Sequence, residues 1–78
     1  MENEVLKSAI KRILQVYEGE ILPESTFENA LGADSIDMAQ IFTLVQDELG
    51  ICISEKEWRK VNTVEDALEL IRGKTSGE

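Results

Sequence analysis

The residues of this chain whose types and spacing could do chemistry are concentrated in one hexapeptide, Gly32-Ala33-Asp34-Ser35-Ile36-Asp37. A serine hydroxyl stands there between two carboxylates, after a glycine-containing stretch and ahead of an apolar pattern of helical period. Asp34 with Asp37 three residues on is an acidic variant of the capping box, which puts Ser35 in the first turn of a helix. A phosphate ester on that hydroxyl would lie against free backbone N–H groups and the positive end of the helix dipole. The flanking aspartates repel a bare phosphate but could engage a basic partner or help hold a metal ion during a transfer. The pattern therefore suits an enzyme-made covalent ester better than free anion binding. Ser and Asp are also the commonest residues at helix starts, so position alone leaves open that Ser35 does no more than begin a helix.

Little else in the sequence offers chemistry. Histidine is absent, which removes Ser-His-Asp and Cys-His catalysis and the commonest metal ligand together. No Asp-x-Asp-x-Asp-Gly calcium loop is present, and no metal site is expected. The single Cys52 has no intramolecular disulfide partner; it reads as a small, partly buried apolar residue, with no Lys or Arg beside it in sequence to lower its pKa. No secretory or membrane-spanning segment stands out, and an intracellular, cytoplasmic location is expected. Sixteen acidic residues against eight basic ones give a net charge of −8. Such a field repels nucleic acid and anionic membranes and attracts basic partners. The asymmetry is local, since no Lys or Arg occurs between Arg12 and Lys56.

The elements that must position the hexapeptide follow from apolar period. Val5, Leu6, Ala9, Ile10, Ile13, Leu14 and Tyr17 predict a first helix over about residues 2–17. A long connection from Glu18 to Asp34 follows, with Ile21, Leu22, Phe27 and Leu31 as its anchors; connections of that length are often functional. The second helix runs from Asp34 or Ser35 to about Leu49, with Ile36, Ala39, Phe42, Val45 and Leu49 as its core stripe and Met38 and Ile41 as additional apolar surface. Gly50 suits the position past its end. Ser54 with Glu57 caps a short third helix over about residues 55–60, which carries Trp58. Thr63 with Asp66 opens a last helix with Val64, Ala67, Leu68 and Ile71 inward, stopping at Gly73 and leaving Lys74 to Glu78 as a flexible tail. The expected fold is all-α, one four-helix bundle of three main helices and one short one over residues 1–73. The starting methionine and the closed last helix point to a free-standing chain, and a monomer is expected.

The hexapeptide resembles the prosthetic-group attachment site of acyl carrier proteins, whose signature is an Asp-Ser-Leu core within Gly-Ala-Asp-Ser-Leu-Asp; here Ile36 takes the place of leucine. The likeness extends to Phe27 eight residues before the serine, Leu31 before the glycine, Ile53 after the second helix and Thr63-Val64 at the start of the last. The resemblance implies a carrier rather than a catalyst, with a 4′-phosphopantetheine arm moved from coenzyme A to Ser35 by a phosphopantetheinyl transferase, Asp34 flanking the attachment. The arm's thiol would hold an acyl group as a thioester for acyl-transferring and chain-elongating enzymes of fatty-acid or related synthesis. It also implies that basic patches of those partners dock on the second helix, at Asp34, Asp37, Asp47 and Glu48, with Ile36, Met38, Gln40 and Ile41 around them. A cavity between the second and third helices would shelter the acyl chain, with Phe42, Val45, Ile53, Val61 and Leu68 as its lining; each of these also reads as plain core.

The chain departs from the family pattern at Gln40 and Gln46, which are commonly acidic, and at Gly50, Cys52, Ser54 and the bulky Trp58. A weaker acidic face beside Met38 and Ile41 suggests a more apolar docking surface. Trp58 reads either as a gate on the acyl cavity or as a satellite core residue. Two other functions fit the same sequence: a carrier of aminoacyl or polyketide units, and an acidic interaction module in which Ser35 is never modified.

Overall fold

In the computed structural model, which describes residues 1–76, four α-helices follow the order the sequence predicts. The first, α1, spans Glu2–Leu14 and buries Leu6, Ala9 and Ile10. Glu2 and Glu4 in its first turn and Lys11 and Arg12 in its last complement the helix dipole. It ends three residues sooner than the apolar pattern suggests, with Gln15 left-handed at φ 55° and its N–H bonded to the Lys11 carbonyl. Tyr17 is consequently not on the buried stripe but 83 % exposed. The chain turns there into a single 3-10 turn over Glu18–Glu20, and Glu18 pairs back along α1 with Lys7 and Lys11, at 4.0 and 3.5 Å.

The long connection is ordered by burial and by backbone pairing. Ile21, Phe27 and Leu31 are buried, as expected of anchors, and so is Ala33; Leu22 is half exposed and anchors nothing. The carbonyls of Pro23 and Ser25 accept from the N–H groups of Glu65 and Val64, and Phe27 N–H donates to the Asn62 carbonyl. The connection thus satisfies N–H groups that the start of the last helix leaves without intrahelical acceptors. Ser25 closes the bend internally: its hydroxyl accepts from Leu22 N–H and donates to the Glu20 carbonyl.

Helix α2 spans Ser35–Leu49 and ends at Gly50, which is left-handed at φ 66°. Its buried stripe is Met38, Ile41, Phe42 and Val45. This corrects the phase read from the sequence. Met38 and Ile41, assigned to extra surface, are the core face itself, and Ile36, assigned to the core, is 67 % exposed. The spacing 38, 41, 42, 45 is the i, i+3, i+4, i+7 pattern, and Ile36 lies about half a turn away from it. The link to the short helix α3, Glu55–Trp58, alternates: Ile53 is buried, Ile51 half-buried, and Cys52 exposed rather than partly buried.

The last helix, α4, spans Val64–Ser76 and buries Val64, Ala67 and Ile71. It continues through Gly73, so residues 74–76 are helical rather than tail; Gly77 and Glu78 lie outside the described residues. Tertiary contacts outweigh the helix-weakening glycine here: Thr75 Oγ1 donates to Glu2 at 2.8 Å, and Lys74 pairs with Glu57 at 2.5 Å. Helix α1 packs mainly against α2 and also against α4, while α3 bridges α2 and α4. The fold is a helical bundle, and among the described residues it contains no strand, only an isolated bridge between Thr26 and Thr63.

Candidate functional site

Ser35 occupies the first position of α2, and its local geometry follows from the residues on either side. Gly32 is left-handed at φ 71°, a conformation glycine adopts without a steric penalty. The turn brings Ala33 N–H onto the Phe27 carbonyl at 2.7 Å and buries the Ala33 side chain. The chain then enters the helix through a reciprocal cap: Asp34 accepts from Asp37 N–H at 2.9 Å, and Asp37 accepts from Asp34 N–H at 3.3 Å. Each carboxylate thereby gives one oxygen to backbone. The Ser35 side chain is exposed, and neither its hydroxyl nor the N–H groups of Ser35 and Ile36 have a partner among the described residues.

Beside this hydroxyl lies an open groove of about 380 Å³. Phe27, Ala33 and Met38 form its apolar wall on the α2 side, Trp58 and Val61 face them from α3 and the turn after it, and Glu28, Arg59 and Asn62 make a polar rim. Trp58 is 9 % exposed and stacks on Phe42 with ring centroids 6.2 Å apart and planes 8° from parallel. A pair of that kind contributes ~0.5–1.5 kcal/mol beyond its buried area. Arg59 lies over the outer Trp58 ring at 5.7 Å and is held by Glu55 one turn back.

This arrangement is an accessible nucleophile-sized hydroxyl, two unpaired N–H donors and an adjacent groove. Among the described residues no side chain is hydrogen-bonded to the Ser35 hydroxyl, and each neighbouring carboxylate gives one oxygen to the cap. The arrangement can accept a phosphoester made by another protein and can bed what the ester carries. Residues 4–71 match the family described as phosphopantetheine attachment site. The chain belongs to that family. Its members carry a 4′-phosphopantetheine prosthetic group and work as carriers with transferases and biosynthetic enzymes. The residues present fit such a group: the Ser35 and Ile36 N–H groups are available to its phosphate, and the groove is mixed enough for its amides and its methyl groups.

The remaining sequence-derived positions of this phosphopantetheine-family chain fall in three places. Asp34, Ile36, Gln40, Asp47 and Glu48 are exposed and Asp37 is half-buried, so they are open to a partner, whereas Met38 and Ile41 are 8 % and 0 % exposed and add nothing to a docking face. Of the expected cavity residues, Val61 lines the groove beside Ser35; Phe42, Val45 and Ile53 are closed into the core at 0 %, 0 % and 5 % exposure. Leu68 lines a different depression, with Ile21 and Val64. Gln46 is half-buried and its side chain is engaged within the chain. Its side-chain oxygen accepts from Ile53 N–H at 2.8 Å and its amide donates to the Phe42 carbonyl at 3.2 Å, tying α2 to the segment that leads into α3. The groove-forming roles of Trp58, Arg59 and Asn62 could be anticipated only through Trp58, an aromatic residue on a helix too short to bury it alone.

Helix α3 is held by a charged clasp. Ser54 Oγ accepts from Glu57 N–H, and the Glu57 carboxylate accepts from Ser54 N–H and pairs with Lys74. The Lys74 ammonium first, and the Ser54 N–H second, hold the Glu57 carboxyl well below its ordinary 4.5, at about 2. A depressed carboxyl contributes stability that is present above about 4.5 and is lost as the pH falls towards about 2. The pair is surface-exposed, so its effect on global stability is small. The expected result is a Glu57 side-chain titration near 2 by NMR that moves up towards 4.5 in Lys74→Met. A Glu57 midpoint that stayed put in the variant would show that Lys74 is not the cause.

Proposed function

We propose that Ser35 is the attachment residue, and that this chain is an acyl carrier protein holding acyl intermediates as thioesters for fatty-acid or related synthesis. The single observation that carries the reading is the Ser35 hydroxyl, free and exposed beside the groove, within a chain of the phosphopantetheine attachment family. A phosphopantetheinyl transferase would form the bond from Ser35 Oγ to phosphorus as the pyrophosphate bond of coenzyme A breaks and 3′,5′-ADP leaves. In this reading the transferase takes the hydroxyl proton, since no side chain is hydrogen-bonded to the Ser35 hydroxyl among the described residues. Arm and cargo then supply the thioester chemistry, and this chain supplies position and recognition. In this reading the chain is a monomeric substrate of enzymes rather than an enzyme, and it works in the cytoplasm, where the exposed Cys52 would stay reduced.

The test is intact mass before and after incubation with coenzyme A and a broad-specificity phosphopantetheinyl transferase. A gain of one phosphopantetheine supports the reading. No gain from folded protein with several transferases would make an unmodified acidic interaction module the better account. Loading by acyl ligases rather than amino-acid ligases then separates lipid-type from aminoacyl cargo.

Partners are expected to dock with basic residues on the exposed carboxylates Asp34, Asp47 and Glu48, with Ile36 as the apolar contact beside the arm. Exposed pairs contribute only ~0–1 kcal/mol each, so they steer and orient. The transferase's apparent KM should therefore rise several-fold from low to high ionic strength with kcat nearly unchanged. A KM indifferent to salt but raised by Ile36→Ala would place recognition on the apolar contact instead.

A further inference from the structure

Trp58 lines the groove at Ser35 and stacks on Phe42, an aromatic core residue that the groove itself does not reach. The groove at Ser35 is floored on that side by Trp58, and behind Trp58, ring on ring, lies Phe42 with no exposed surface. Met38, one turn before Phe42 on the same face of α2, lines the groove, whereas Phe42 and Val45 do not. The apolar interior between α2 and α3 is thus next to the groove and separated from it by Trp58 together with Met38, both of which line the groove. Trp58 is held in the closed position on several sides. Phe42 stacks on its inner ring face, Arg59 lies over the ring, and α3 is fixed by the Ser54–Glu57 cap and the Glu57–Lys74 pair.

We propose that Trp58 is the specificity-determining residue for cargo size: it plugs the route from the Ser35 groove to Phe42, so that only short acyl groups pack against this carrier and longer ones stay in solvent. The proposal rests on the carrier reading above. Its physical basis is that each methylene taken into an apolar interior is favourable, while opening this interior first requires breaking the Trp58–Phe42 stack and moving a residue that α3 holds in place. A long chain outside the plug leaves its thioester open to small nucleophiles and its tail available to the next enzyme. A short one is accommodated by the existing groove without rearrangement.

Trp58 is the only tryptophan in the chain, so its emission reports the plug directly. The experiment loads Ser35 enzymatically with butyryl-, hexanoyl-, octanoyl- and decanoyl-phosphopantetheine, each confirmed by intact mass, and records Trp emission, Tm and the rate of thioester cleavage by hydroxylamine. In the wild type, emission and Tm are expected to stay level from hexanoyl to decanoyl, and cleavage to be equally fast. In Trp58→Ala, or Trp58→Leu if the alanine variant is not folded by circular dichroism, decanoyl is expected to raise Tm by at least ~5 °C over butyryl and to slow cleavage several-fold. A wild type whose emission shifts and whose Tm climbs with chain length overturns the proposal, whatever the variants do, because the cargo is then displacing Trp58. A mass that never gains the arm overturns the carrier reading and this proposal together, so the two failures are told apart at the first step.

Discussion

Ser35→Ala is expected to abolish acceptance of the phosphopantetheine arm completely while leaving the fold within ~0.5 kcal/mol of the wild type. Both halves of the expectation come from the same geometry. The cap that starts α2 is built from Asp34 and Asp37, whose two hydrogen bonds do not involve the Ser35 hydroxyl. Removing that hydroxyl breaks no bond among the described residues, and alanine is a better helix former than serine. Asp34→Ala, by contrast, removes the cap itself and should cost ~0.5–2 kcal/mol while leaving the nucleophile in place. The pair of variants separates the serine's chemistry from its helix-starting role. Intact mass reads the first and thermal unfolding the second. If Ser35→Ala still gained the arm, attachment would have to be at another hydroxyl. Thr26, Thr43 and Ser54 would then be the residues to examine, although all three hydroxyls already make hydrogen bonds to backbone groups.

Most of the fold, and the placement of Ser35 in the first turn of a capped helix, were legible in the sequence, because local chemistry decides them. Asp34 with Asp37, Ser54 with Glu57 and Thr63 with Asp66 each announce a helix start, and each makes its reciprocal hydrogen bonds. Gly50 likewise ends α2 in the left-handed conformation its position suggests. Failures occur where a tertiary contact or an ambiguous pattern decides. Helix α2 is apolar over much of its circumference, so two phases of its stripe were compatible with the sequence. Packing against α1 chose the one with Met38 and Ile41 inside and Ile36 outside. The end of α4 was misplaced because Gly73 reads as a stop, whereas Lys74 and Thr75 are held by Glu57 and Glu2, distant in sequence. Gln46 looked like a lost acidic docking residue and is instead a bracket between α2 and Ile53. No local pattern marks such a side chain-to-backbone bond seven residues away.

The acidic field and the charged clasps act on different scales. A net charge of −8 with no basic residue from Ile13 to Glu55 leaves the loop and α2 as one negative face. Several of the basic residues that do occur are ion-paired within the chain: Lys7 and Lys11 with Glu18, Arg59 with Glu55, and Lys74 with Glu57. Each internal pair is weak. Arg59 lines the groove beside Ser35, but Asp34, Asp47 and Glu48 make no ion pair among the described residues, so an incoming partner's Arg and Lys meet unpaired carboxylates there. Steering of this kind accelerates encounter without slowing release, which suits a carrier that must visit several enzymes in turn.

Phe42→Ala is expected to leave the protein largely unfolded at room temperature, a loss of function of a wholly different kind from that of Ser35→Ala. Phe42 is fully buried at the middle of α2. Truncating a buried phenylalanine costs ~3–5 kcal/mol through lost transfer energy and the cavity left behind. A domain of this length has only ~3–5 kcal/mol of net stability to lose. The two figures are of the same size, so the helical circular dichroism signal should collapse and the Trp58 emission should shift to that of solvent-exposed indole. Phe42→Leu keeps most of the volume and should remain folded, with a lower Tm and without the Trp58 stack. The unfolded alanine variant should also fail to accept the arm, because the helix start that presents Ser35 is gone with the bundle. Stabilising it with an osmolyte such as TMAO should recover both the helical signal and the mass gain together. Recovery of helix without recovery of modification would mean that Phe42 contributes to presenting Ser35 through more than stability, by way of Trp58, which stacks on it and lines the groove beside Ser35.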